Sequence, residues 1–104
     1  MKQIELNLNR IDEKEFYDRL GSVFGFPDNF GRNMDAAYDC LTTLRDEEDM
    51  MTTVKLGKEE SIILKIKDIE RGGFDVVIRL LSIIESTNDF HIACGEKPAI
   101  LIEL

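Results

Sequence analysis

The chain has 104 residues, with 13 basic and 21 acidic side chains and a formal net charge of −8. That length supports one modest hydrophobic core, so a single domain over residues 1–104 is expected. The acidic balance argues against a direct nucleic-acid binder or a ligand of anionic membranes, and no apolar run approaches the ~20 residues of a membrane-spanning helix.

The opening stretch MKQIELNLNR lacks the apolar segment of a secretory signal, so a cytoplasmic location is expected. Within it Ile4, Leu6 and Leu8 alternate with polar residues, the pattern of a short strand with one buried side. Asp12, three residues before Glu15, predicts a helix start, and Phe16, Leu20, Val23 and Phe24 follow at helical spacing until Gly25 and Pro27 end it.

The loop FPDNFGRN leads to a second helix, predicted from Asn33 to about Leu44, capped by Asn33 or Asn29. Met34, Ala37, Leu41 and Leu44 form its expected buried stripe. RDEED (45–49) reads as a solvated charge run, and Val54 and Leu56 suggest a short extra strand. SIILKIKDI carries Ile62, Ile63, Leu64 and Ile66 in the manner of a central strand covered on both faces.

From Phe74 to about Ser86 the chain is helical in length and apolar nearly all round, so this is the helix expected to be most buried. TNDFHIACGEKP is expected to add another helical turn or two, with Gly95 as stop and Pro98 as boundary, before AILIEL closes as a strand. Strands separated by helices predict an α/β fold: a small three-stranded parallel sheet with flanking helices.

The chemistry concentrates on the second helix. Asp35 and Asp39 stand one turn apart, so both carboxylates point the same way, with Tyr38 and Thr42 in the adjacent row. Like charges at that spacing are mildly unfavourable, and a plain solvated face remains one explanation. Acid/base catalysis is a second, but it needs a buried carboxylate, and this face reads as wet. A single histidine, His91, excludes the usual Ser/His/Asp and Cys/His sets, and no phosphate-binding glycine loop is present. His91 reads as a surface or half-buried residue, and no metal site or cofactor is expected. Cys40 and Cys94 lie in no CxxC pair and read as reduced thiols. The third explanation is protein recognition, in which the two carboxylates meet arginine forks of a basic partner and Tyr38 supplies apolar contact.

At PDNFGRNMDAAYDCLT the sequence resembles the barstar family, intracellular inhibitors of the secreted bacterial ribonuclease barnase. Pro27, Phe30, Gly31, Asn33, Asp35, Ala36, Tyr38, Asp39, Cys40, Leu41 and Thr42 all match the family pattern, and the element order agrees over most of the chain. The resemblance implies a barstar-like fold and a stoichiometric, non-enzymatic inhibitor that covers the active site of a basic extracellular or toxin ribonuclease. By position, Asp39 would be the central carboxylate in the nuclease's phosphate site and Asp35 would hold neighbouring donors. Tyr38 and Thr42 would border them, Asn29, Phe30 and Gly31 would form the loop over the cleft, and Asn33 would lie within the same surface. Glu85 is a candidate for a further acidic contact from the long helix, and Cys40 would be a packed thiol. A monomeric immunity protein or antitoxin follows as an expectation. Asn29 and Arg32 depart from the best-known member, and they keep open a barstar-fold adaptor that regulates a non-nuclease partner.

Overall fold

The computed structural model describes residues 2–104. Its elements are β1 (Lys2–Asn7), α1 (Glu13–Phe24), α2 (Met34–Leu41), β2 (Ile62–Lys67), a single 3-10 turn (Ile69–Arg71), α3 (Phe74–Ala93) and β3 (Ile100–Glu103). The three strands form one parallel sheet in the order β1-β2-β3, with Lys2 opposite Ile62 and Ile62 opposite Ile100. The α/β architecture with a three-stranded parallel sheet is the one expected.

Strand parity separates the two faces of this sheet. Leu6, Ile62, Leu64, Ile66 and Ile100 point into the core, whereas Gln3, Glu5, Leu101 and Glu103 are exposed and Ile63 and Lys65 only half-buried. The expectation that β2 is covered on both faces is therefore wrong: the helices cover one face, and the register Glu5–Lys65–Glu103 lays an acid-base-acid row across the other. Cross-strand neighbours, rather than a second helical layer, half-shield Ile63.

α1 starts where the sequence places it, with the Asp12 side chain accepting from the Glu15 amide at 2.8 Å. It buries Phe16, Tyr17, Leu20, Gly21 and Phe24 and stops at Gly25, whose φ of 73° is left-handed. A Cβ at Gly25 would lie 1.8 Å from Thr53 Oγ1, so the stop also lets the 51–54 segment pass close by.

α3 runs unbroken for 20 residues, so the stretch to Ser86 and the further turns expected after it form one helix that ends just before Gly95. It is not the most buried helix. Its core side carries Val76, Leu80, Ile83, Ile84, Thr87 and His91, while Phe74, Ile78, Leu81, Phe90 and Ile92 are exposed. The expected strand at Val54 and Leu56 is absent: Leu56 is buried, but the segment is joined by single bonds such as Leu56 N–H to Leu44 O (2.8 Å) and never pairs along the sheet.

Two polar residues differ more sharply from the reading of the sequence. Arg45 opens the acidic run, yet its side chain is only 5 % exposed. It donates to the carbonyls of Gly57 (3.0 Å), Lys97 (2.8 Å) and Glu60 (2.6 Å), so one guanidinium fork ties down three segments. His91 is 1 % exposed rather than superficial, and both ring nitrogens find oxygen partners, the Leu41 carbonyl and the half-buried Glu96 carboxylate.

Candidate interaction face on α2 and α3

α2 is short and firmly placed. Asn33 is its cap: the side-chain oxygen accepts from the Ala36 amide at 2.8 Å, and its amide donates to Gly31 O at 3.2 Å. Ala37, Cys40 and Leu41 are buried behind it. Beyond Leu41 the chain tightens into i→i−3 turns (Thr43 N–H to Cys40 O, Leu44 N–H to Leu41 O), so the helix ends before Leu44 although Leu44 stays fully buried. Met34, expected in the buried stripe, is only half-buried.

The polar side faces out. Asp35 and Asp39 are exposed, and Tyr38 and Thr42 are half-buried. Asp35 lies in the first turn, where the helix dipole favours a carboxylate. Asp39 lies in the last turn, where the dipole opposes one. Neither carboxylate has an ion-pair partner among the described residues. The Thr42 hydroxyl donates to the Asp39 carbonyl at 2.7 Å, and the Tyr38 ring meets Phe90 of α3 edge-on, centroids 6.4 Å apart.

Asn29, Gly31 and Asn33 are exposed in the preceding loop, whereas Phe30 turns inward against Phe26, ring centroids 5.0 Å apart. Phe30 thus anchors the loop more than it presents to a partner. Arg32 takes a left-handed φ of 46° and folds back over the same loop. Its Nε donates to Asp18 Oδ1 at 2.8 Å, its NH1 to the carbonyls of Asp28 and Phe30, and its guanidinium carbon sits 5.2 Å from the Phe30 ring centroid. Arg32 and Lys14 together hold the Asp18 carboxyl below its ordinary value. The one cation of this loop is therefore neutralised within the molecule.

Between α2 and α3 runs an open groove of about 590 Å³. Met34, Asp35 and Tyr38 form one wall, and Ser86, Asp89 and Phe90 lie on the other. Asp39 and Thr42 do not line it; they continue the same helix face beyond its end. Glu85, the expected acidic contact from the long helix, is exposed but does not line the groove, whereas Asp89 does. The signal for Asp89 was available in Ser82, Ser86, Asp89 and Ala93, small or polar residues at helical spacing on an otherwise apolar helix.

Cys40 packs behind this face. Burial, and then the nearby Asp39 and Asp49 carboxylates, push its thiol up to about 11. The thiol stays protonated at neutral pH and is a poor nucleophile. Cys94 is exposed, and both cysteines are free. Among the described residues no cluster of three His, Cys, Asp or Glu side chains could hold a metal ion, and no helix is long and apolar enough to cross a membrane.

A three-stranded parallel sheet with helices packed on it defines a small α/β protein, and comparison with known families agrees with that fold. Residues 1–90 match the family described as barstar (barnase inhibitor). The chain belongs to the barstar family. The match spans the loop, α2 and most of α3, including Asp89, and ends before β3. No curated protein matches the chain.

Proposed function

We propose that this protein is a stoichiometric inhibitor of a barnase-like or toxin ribonuclease, an immunity protein or antitoxin that acts by laying the outer face of α2 into the enzyme's active site. The observation that carries the reading is Asp39. It is exposed, lacks an ion-pair partner among the described residues, and stands one turn from Asp35 at the helix end where its charge is least welcome. The fold gains nothing from that carboxylate, whereas the phosphate-binding site of a ribonuclease, lined with cationic donors, would complement it. Asp35, Tyr38 and Thr42 would border the contact, with Asn29, Phe30, Gly31 and Asn33 as the loop above it.

Two further features support this reading. Arg32 spends its charge on Asp18 and on loop carbonyls, so it does not oppose a basic active site. The net charge of −8 would speed encounter with a basic enzyme over long range. The family description names an inhibitor, and the reading assigns the chain no catalytic residue. As a free protein it would be a cytoplasmic monomer with the α2 face open.

The test is inhibition of barnase by the purified protein. Activity should fall linearly to zero at one equivalent. Full activity in the presence of several equivalents would overturn the reading for barnase-type enzymes and favour an adaptor of a non-nuclease partner.

A further inference from the structure

The groove between α2 and α3 does not end at its acidic rim. A second hollow of about 300 Å³ continues it along the N-terminal half of α3, and Met34 and Ser82 line both. Phe74 and Ile78 line the second hollow, 78 % and 45 % exposed respectively, with half-buried Met34 beside them. Large apolar side chains scattered singly on a surface are ordinary. Here they gather around one depression that opens into a groove carrying Asp35 and Asp89. Asp75 adds a further carboxylate to the edge, while Arg79 is drawn toward Glu13, 3.4 Å away.

We infer that the partner-binding surface extends from α2 across the groove into this hollow, and that the same cationic protein partner fills it with an apolar side chain. This inference rests on the inhibitor reading and adds an apolar anchor to it. An apolar centre beside a charged rim is the usual build of a specific interface, in which the anchor resists dissociation and the rim steers. Charge complementarity selects the occupant. A second copy of the chain would bring another charge of −8 and its own Asp35, Asp75 and Asp89 to the contact, and an anionic lipid surface would be repelled likewise. A protein with cationic side chains around an exposed apolar one is the fit.

The experiment titrates barnase with the wild-type protein, with Phe74→Ser, Ile78→Ser and their double variant, and with Asp39→Ala, at low salt and at about 0.5 M salt. Thermal midpoints and sedimentation are recorded for each. Both apolar side chains are exposed, so folding should survive. The double variant should bind at least about tenfold more weakly at both salt concentrations, because apolar contact is not screened. If Asp39→Ala weakens binding and the apolar variants do not, the extension is overturned and the inhibitor reading stands. If the wild-type protein fails to bind barnase, the reading falls and the extension falls with it. If the wild-type protein self-associates and Phe74→Ser abolishes this, the hollow belongs to a second copy, which also overturns the inference.

Discussion

His91 Nε2 lies 3.2 Å from the carbonyl oxygen of Leu41, fifty residues earlier and the last residue of α2. On its other side, Nδ1 meets Glu96 Oε1 at 3.0 Å. The ring thus links the C-terminal end of the acidic helix, through the last turn of α3, to the connection into β3. That link holds the outer face of α2 at a fixed angle to the α2–α3 groove.

Glu96 makes the link sensitive to acid. Its hydrogen bond with His91, and then the nearby Arg45 guanidinium, hold its carboxyl below the ordinary value of 4.5. A carboxylate with a lowered folded-state pKa stabilises the fold fully above its unfolded value and loses that contribution as pH falls through the folded one. The stability difference between wild type and Glu96→Gln should therefore stay constant above about pH 4.5 and close as pH drops below it. Chemical denaturation across that range measures it. A gap that persists unchanged into strong acid would show that charge on Glu96 is not what matters.

Arg45 should be the most costly single truncation outside the apolar core. Its guanidinium serves the carbonyls of Gly57, Glu60 and Lys97 and lies 3.5 Å from Glu96. Arg45→Ala would leave the Glu60 and Lys97 carbonyls unpaired, while Gly57 O would keep only the Glu60 N–H, at a cost of about 2–4 kcal/mol. Arg45→Lys should recover only part of it, since one ammonium cannot reproduce the planar fork. Midpoints lowered by roughly 4–8 °C per kcal/mol are the expected readout. An Arg45→Ala midpoint equal to wild type would mean that this side chain is merely solvated.

The two cysteines should respond differently to thiol reagents. Cys94 is exposed and should react at once with an aromatic disulfide reagent at neutral pH, giving one equivalent. Cys40, buried and with its thiol pushed up to about 11, should react only when the protein unfolds or when pH is raised strongly. Two fast equivalents in the native state would contradict the packing behind α2.

What could be read from the sequence was local. Asp12 with Glu15, Gly25, and the alternation through Ile4, Leu6 and Leu8 each announce their structure within a few residues, and the sheet followed from their order. The residues that misled depend on distant partners. Arg45 looked like part of a solvated run because its acceptors lie 12, 15 and 52 residues away. Asn88 is a poor helix former inside the stretch where one or two further helical turns are expected, and nothing local to it announces a long-range role. Instead its amide both donates to Ile100 O and accepts from Ile100 N–H at 2.9 Å, closing the outer edge of β3. Asp35, Tyr38 and Asp39 could be placed on one face by spacing alone, but Asp89 needed the full length of α3 to reach the groove.

The central claim is that a particular carboxylate, and not acidity at large, holds the partner. Asp39→Asn and Glu48→Gln each remove one negative charge from an exposed side chain, the first on the α2 face and the second in the acidic turn after it. Measuring association and dissociation rates of both variants with barnase tests the claim most directly. Asp39→Asn should weaken the complex by about 3–5 kcal/mol, chiefly through faster dissociation, because it unpairs cationic groups buried in the contact. Glu48→Gln should slow association slightly, an effect that salt erases, and leave dissociation unchanged. Equal losses in the two variants would contradict the account, since bulk charge rather than the α2 face would then govern binding.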